Sequence, residues 1–81
     1  MKAWIEIEVN GREELLKAIY DSLLPETTRP PSIECRVSMG LGSRLVIKIE
    51  CDRINLLRAV ANSYLGMLST IIHSLEEIGY G

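Results

Sequence analysis

The sequence predicts an α+β domain: three antiparallel strands in one sheet, with two helices packed on one face. Three observations carry this. Residues 3–9, 32–39 and 44–51 alternate apolar and polar side chains, the mark of a half-buried strand. Residues 11–23 and 53–78 place apolar side chains at helical spacing. The resulting order, β-α-β-β-α, closes most simply as an antiparallel sheet ordered first–third–second, in one domain over residues 1–81.

In the first strand Ala3, Ile5, Ile7 and Val9 face one way and Trp4, Glu6 and Glu8 the other. Asn10 followed by Glu13 fits an N-cap with its capping-box partner. The first helix then carries Leu15, Leu16, Ile19, Tyr20 and Leu23 on one side. Pro25 is expected to end it, because proline cannot continue the hydrogen-bond ladder. The segment 25–31 reads as a loop.

The second and third strands turn Ile33, Cys35, Val37 and Met39, then Leu45, Ile47, Ile49 and Cys51, toward the core. Paired residues must share a face. Setting Val37 against Leu45 does so, leaves Gly40-Leu41-Gly42 as the turn, and sets Glu34 against Lys48. Asp52 is the expected N-cap of the second helix and Gly79 its stop. Leu57, Ala61, Tyr64, Leu68, Ile71, Leu75 and Ile78 form its stripe. Ile54, Leu65 and Ile72 widen the stripe on one flank; Leu56, Val60 and Met67 widen it on the other. At 1.5 Å per residue this helix is about 39 Å long and must overhang strands of about 20 Å.

With 81 residues, 47 % hydrophobic and 25 % charged, the chain has an ordinary globular composition and one modest core. A net charge of −2 argues against strong autonomous binding to nucleic acid, which relies on clustered Lys and Arg. Cys35 and Cys51 lie in no CxxC or Cys/His cluster, so no metal site is expected. As inward-facing free thiols they point to a reduced, cytoplasmic setting. The opening Met1-Lys2-Ala3-Trp4-Ile5-Glu6 is acidic where a signal peptide is apolar. No membrane span is expected either, because the uncharged run 59–75 contains Asn62, three serines, Thr70 and His73.

That uncharged run is the most informative feature. The side of the second helix turned away from the core should be charged and hydrated. It offers Ala59, Asn62, Ser63, Gly66, Ser69, Thr70 and His73 instead. Small neutral residues let a second helix approach closely. The chain therefore reads as an interaction subunit whose partner-binding face is Ala59, Asn62, Ser63, Gly66 and Thr70. Trp4 and Val46, on the polar face of the sheet, are candidates for self-association. Arg36, Arg44 and Arg58 are candidates for phosphate contact. His73 has no ligand or catalytic partner at useful spacing, and Ser63 and Ser69 have no base nearby in sequence.

Leu57-Arg58-Ala59 followed by Asn62-Ser63-Tyr64-Leu65 resembles the LRA…NSYL signature of the Pcc-type subunit of the KEOPS complex, in its archaeal-like form. The exit Ser22-Leu23-Leu24-Pro25-Glu26, the Pro30-Pro31 loop and the hairpin are similar to that family too. The chain departs at Gly66 and Met67, where the family often carries a basic residue followed by a large aromatic. The resemblance implies a non-catalytic subunit, without cofactor. It would support threonylcarbamoylation of the adenosine next to the anticodon of certain tRNAs. It implies helix-to-helix docking on a Kae-type catalytic subunit, pairing with a second copy or a paralogue, and assistance to tRNA binding. Two other classes compete on sequence. A free-standing ligand-sensing α+β dimer would need a convergent polar pocket, and none is visible. A small enzyme using Glu13, Glu14 or His73 for acid–base work suggests no substrate.

Overall fold

A computed structural model describes residues 2–29 and 32–78. Its elements run β1 (Ala3–Val9), α1 (Glu13–Thr27), β2 (Cys35–Leu41), β3 (Leu45–Cys51) and α2 (Ile54–Glu77). The sheet is antiparallel and ordered β1-β3-β2, so the α+β architecture expected from the pattern is the one formed. α1 packs on β2, and α2 packs on β3 and β1.

The core lies between sheet and helices. Its sheet side is Leu45, Ile47 and Ile49 of the central strand, all fully buried, with Cys35 and Cys51 at one end. Its helix side is Leu16, Ile19 and Leu23 of α1 and Leu57, Val60, Ala61, Tyr64 and Leu68 of α2. The stripe on α2 is not buried evenly. Ile71 and Leu75 are only half-buried and Ile78 is exposed. The 24-residue helix spans about 36 Å and sets the 42 Å long axis of a molecule only 22 × 18 Å across. Its C-terminal third runs beyond the sheet that supports it.

Several local expectations are corrected. α1 continues through Pro25 to Thr27. Proline in a last turn forfeits one hydrogen bond rather than a ladder, and two hydroxyls serve the terminal carbonyls there. Thr27 Oγ1 donates to Leu24 O and Thr28 Oγ1 to Pro25 O, both at 2.8 Å. The α1 N-cap is Arg12 and that of α2 is Arg53, neither making a side-chain cap bond, so Asn10 and Asp52 are not the caps. Asp52 instead donates its backbone N–H to Glu34 O at 3.0 Å. The expected stop at Gly79 lies outside the described residues.

The hairpin register also differs. Val37 pairs with Ile49, not Leu45, and the turn is Gly42-Ser43-Arg44. The shift keeps every side chain on its expected face. It sets Arg36 opposite Glu50 and Cys35 opposite Cys51, and Glu34 leaves Lys48 for an ion pair with Arg53 at 2.8 Å. Ile33 falls in the turn before β2 and is fully exposed rather than inward-facing.

Cys35 and Cys51 are not free thiols. They form a disulfide across β2 and β3, closing a 16-residue separation. A reduced setting cannot be argued from them. Among the described residues, no helix is long and apolar enough to cross a membrane.

Candidate partner-binding face

Ala59, Ser63, Gly66 and Thr70 recur on α2 at spacings of four, three and four, so they share one row; Asn62 falls beside it. All five are exposed. The row is neutral and self-contained. Thr70 Oγ1 donates to Gly66 O at 3.1 Å, which directs the hydroxyl back onto the helix. A Cβ placed on Gly66 would meet nothing within 4 Å, so this glycine is not required by the fold of the chain itself. His73 lies further along the same side, and its Nε2 is 3.1 Å from Glu77 Oε1. That is the partner one turn away which the sequence reading did not credit to it.

The row borders a groove between the two helices. Ser22, Leu23 and Glu26 of α1 line one wall; Gly66, Met67, Thr70 and Ile71 of α2 line the other. The groove encloses about 510 Å³ and is more apolar than polar. The α1 wall was not legible in the sequence, because ending α1 near Leu23 removes Glu26 from the helix. Tyr64 packs beneath this region. Burial pushes its phenol above the usual tyrosine range, and the Glu26 carboxylate adds to the shift.

α2 has a second flank, facing away from α1. Here Ile54 is 54 % and Leu65 48 % exposed. Both were expected to widen the buried face. They do not, because α2 lies over β3 and the rim strand β1, and nothing sits outside β1 to meet them.

The other candidates fall on two layers. Arg58 is exposed on α2 and makes no ion pair among the described residues. Arg36 lies on the outer face of the sheet opposite Glu50, and Arg44 in the β2–β3 turn is bound to Glu8 at 3.1 Å. These three cations do not converge. Trp4 is on the outer sheet face with Lys48 Nζ 5.1 Å from its ring centroid. Val46 is half-buried on the same face, one strand away. Among the described residues no group of His, Cys, Asp or Glu is arranged to hold a metal.

A two-layer domain with an uncharged, groove-bearing helix layer and no convergent catalytic cluster is an interaction module. The chain belongs to the Pcc1 family, whose sequence profile, described as Transcription factor Pcc1, matches residues 5–76. This is the family of a KEOPS complex subunit, in agreement with the resemblance carried by the α2 motif. No curated protein gives a significant match to the chain.

Proposed function

We propose that this protein is a non-catalytic subunit of a KEOPS complex, supporting formation of threonylcarbamoyladenosine in tRNA. It docks its helix layer on helices of a Kae-type catalytic subunit and pairs with a second copy of itself. One observation carries this beyond family membership: an exposed, uncharged row on α2, Ala59 to Thr70, bordering an apolar groove between the helices. A hydrated helix back would carry charge. Small residues beside a groove suit the close approach of another helix.

The printed family description names a transcription factor. The helix layer exposes Glu13, Glu14, Asp21, Glu26, Glu76 and Glu77, which suits a DNA groove poorly. In the proposed role RNA contact is shared with the catalytic subunit. Arg58 is the cation best placed for it, on the layer that meets the partner. Arg36 and Arg44 serve from the sheet side.

The test is capture of the Kae-type subunit by purified variants. Gly66→Arg and Ala59→Glu are expected to fold, since both positions are exposed and Gly66 has open space around it, and to lose capture. Capture by both variants at the level of the unmodified chain would remove the interface from α2.

A further inference from the structure

We infer that a second copy adds to this chain along the free edge of β1, forming one continuous six-stranded sheet centred on a twofold axis at Ile5. The inference deepens the self-pairing part of the proposed function by naming its surface.

β1 is a rim strand with seven residues, no proline and an unbroken register against β3. Its outer edge presents unpaired N–H and C=O groups, a ready template for another strand. The opposite rim, β2, contains Gly40 and is covered by α1. Apolar exposure concentrates at the β1 side. Ile5 points to the core face, yet it is 37 % exposed, while its β3 partner Ile49 is fully buried. Above it, the exposed flank of α2 carries Ile54 and Leu65. Strand edge and helix flank are thus uncovered together.

The side-chain pattern selects the register. Pairing two β1 strands antiparallel about a twofold axis keeps the apolar sides together only for an axis on a residue row, since a one-residue slip reverses faces. Centring on Glu6 sets Glu6 against its own copy. Centring on Ile7 sets Glu6 against Glu8 twice. Centring on Trp4 pairs only three strand residues. Centring on Ile5 sets Lys2 opposite Glu8 and Trp4 opposite Glu6 on the outer face, and Ile5 opposite itself inside, with Ala3 against Ile7. Opposite charges face each other and no like charges do. Glu8, already bound to Arg44 of its own chain, then gains Lys2 of the copy.

The helix layer fits the same axis. Neighbouring strands lie about 4.8 Å apart. α2 rests on β3 and β1, about one strand spacing from the axis, so the two copies of α2 lie about 10 Å apart. That is the packing distance of two helices. Their exposed flanks, Leu65 and Ile54, fill the gap. The small-residue row and the helix groove stay outside this contact, free for another partner.

The test uses the full chain. Ile5→Cys is oxidised and read on a non-reducing gel, with Ile7→Cys as the off-axis comparison. The native disulfide is buried and does not compete. Ile5→Cys should cross-link to a dimer at least tenfold more than Ile7→Cys. Leu65→Lys, which replaces a half-exposed side chain and leaves the core intact, should weaken the dimer at least tenfold by light scattering. A dimer that cross-links no better at Ile5, or that survives Leu65→Lys unchanged, overturns the edge contact. A chain that stays monomeric at 100 μM or so overturns self-pairing altogether, whereas docking on the catalytic subunit is judged separately by Gly66→Arg.

Discussion

β3 and β1 carry the same apolar alternation on the same face of one sheet, and they fare differently. Leu45, Ile47 and Ile49 of β3 are fully buried; Ile7 and Val9 of β1 are half-buried and Ile5 more exposed still. The residues are alike in character. Position separates them: β3 is flanked by strands on both sides and β1 only on one. A rim strand with a core-like face is one whose covering layer is incomplete. The largest contrast is therefore expected between Ile47→Ala and Ile5→Ala. The first opens a cavity in a closed core and should cost about 2–5 kcal/mol in chemical denaturation. At dilutions that favour the monomer the second should cost well under half of that, and it should approach the first as concentration rises and the edge contact forms. Equal costs at high dilution would mean that β1 is covered within the single chain.

The disulfide sharpens the same contrast from the other side of β3. It fastens β2 to the central strand, while β1 has no covalent tie. Closing a loop of this length contributes about 3 kcal/mol by restricting the unfolded chain. Reduction, or Cys35→Ala with Cys51→Ala, should lower the denaturation midpoint accordingly without changing the mass of the dimer, because the tie lies on the far side of β3 from β1. Loss of self-pairing on reduction would show that the β2 side governs association.

Within α2 the two ends repeat the lesson at smaller scale. Leu68 is buried and Leu75 half-buried, although both belong to one stripe. Leu68→Ala should cost about 2–4 kcal/mol, and Leu75→Ala about 1, in the isolated chain. If a partner helix covers the overhanging end, Leu75→Ala should weaken partner capture more than it weakens the fold.

How far the sequence foretold this follows from range. Alternation and helical periodicity are local, and they placed all five elements and the sheet order. The hairpin register is not fixed by parity. Two registers kept all faces correct, and the pattern could not weigh Glu34 against Lys48 over Arg36 against Glu50 with a Cys35–Cys51 bond. The run of α1 past Pro25 rests on hydroxyls of Thr27 and Thr28 finding carbonyls three residues back, which a proline rule does not see. The neutral row on α2 was visible because it violates an expectation about charge. The α1 wall of the groove and the bare flank at Leu65 were not, because both depend on where α2 lies over the sheet.

The smallest effect concerns the groove. Tyr64 is held above the ordinary tyrosine range, first by burial and then by the Glu26 carboxylate. The folded chain thus keeps its phenol protonated to higher pH than the unfolded chain does. The sign follows from linkage: the contribution is whole below about pH 10, where both states are protonated, and is lost as pH rises toward the folded value, since the unfolded state releases its proton first. Denaturation midpoints of the unmodified chain should fall more steeply above pH 10 than those of Tyr64→Phe. Glu26→Gln, which removes the second and smaller cause, should give an intermediate slope. Parallel curves for all three would mean that Tyr64 is hydrated at the groove floor, and that the wall built by α1 does not close over it.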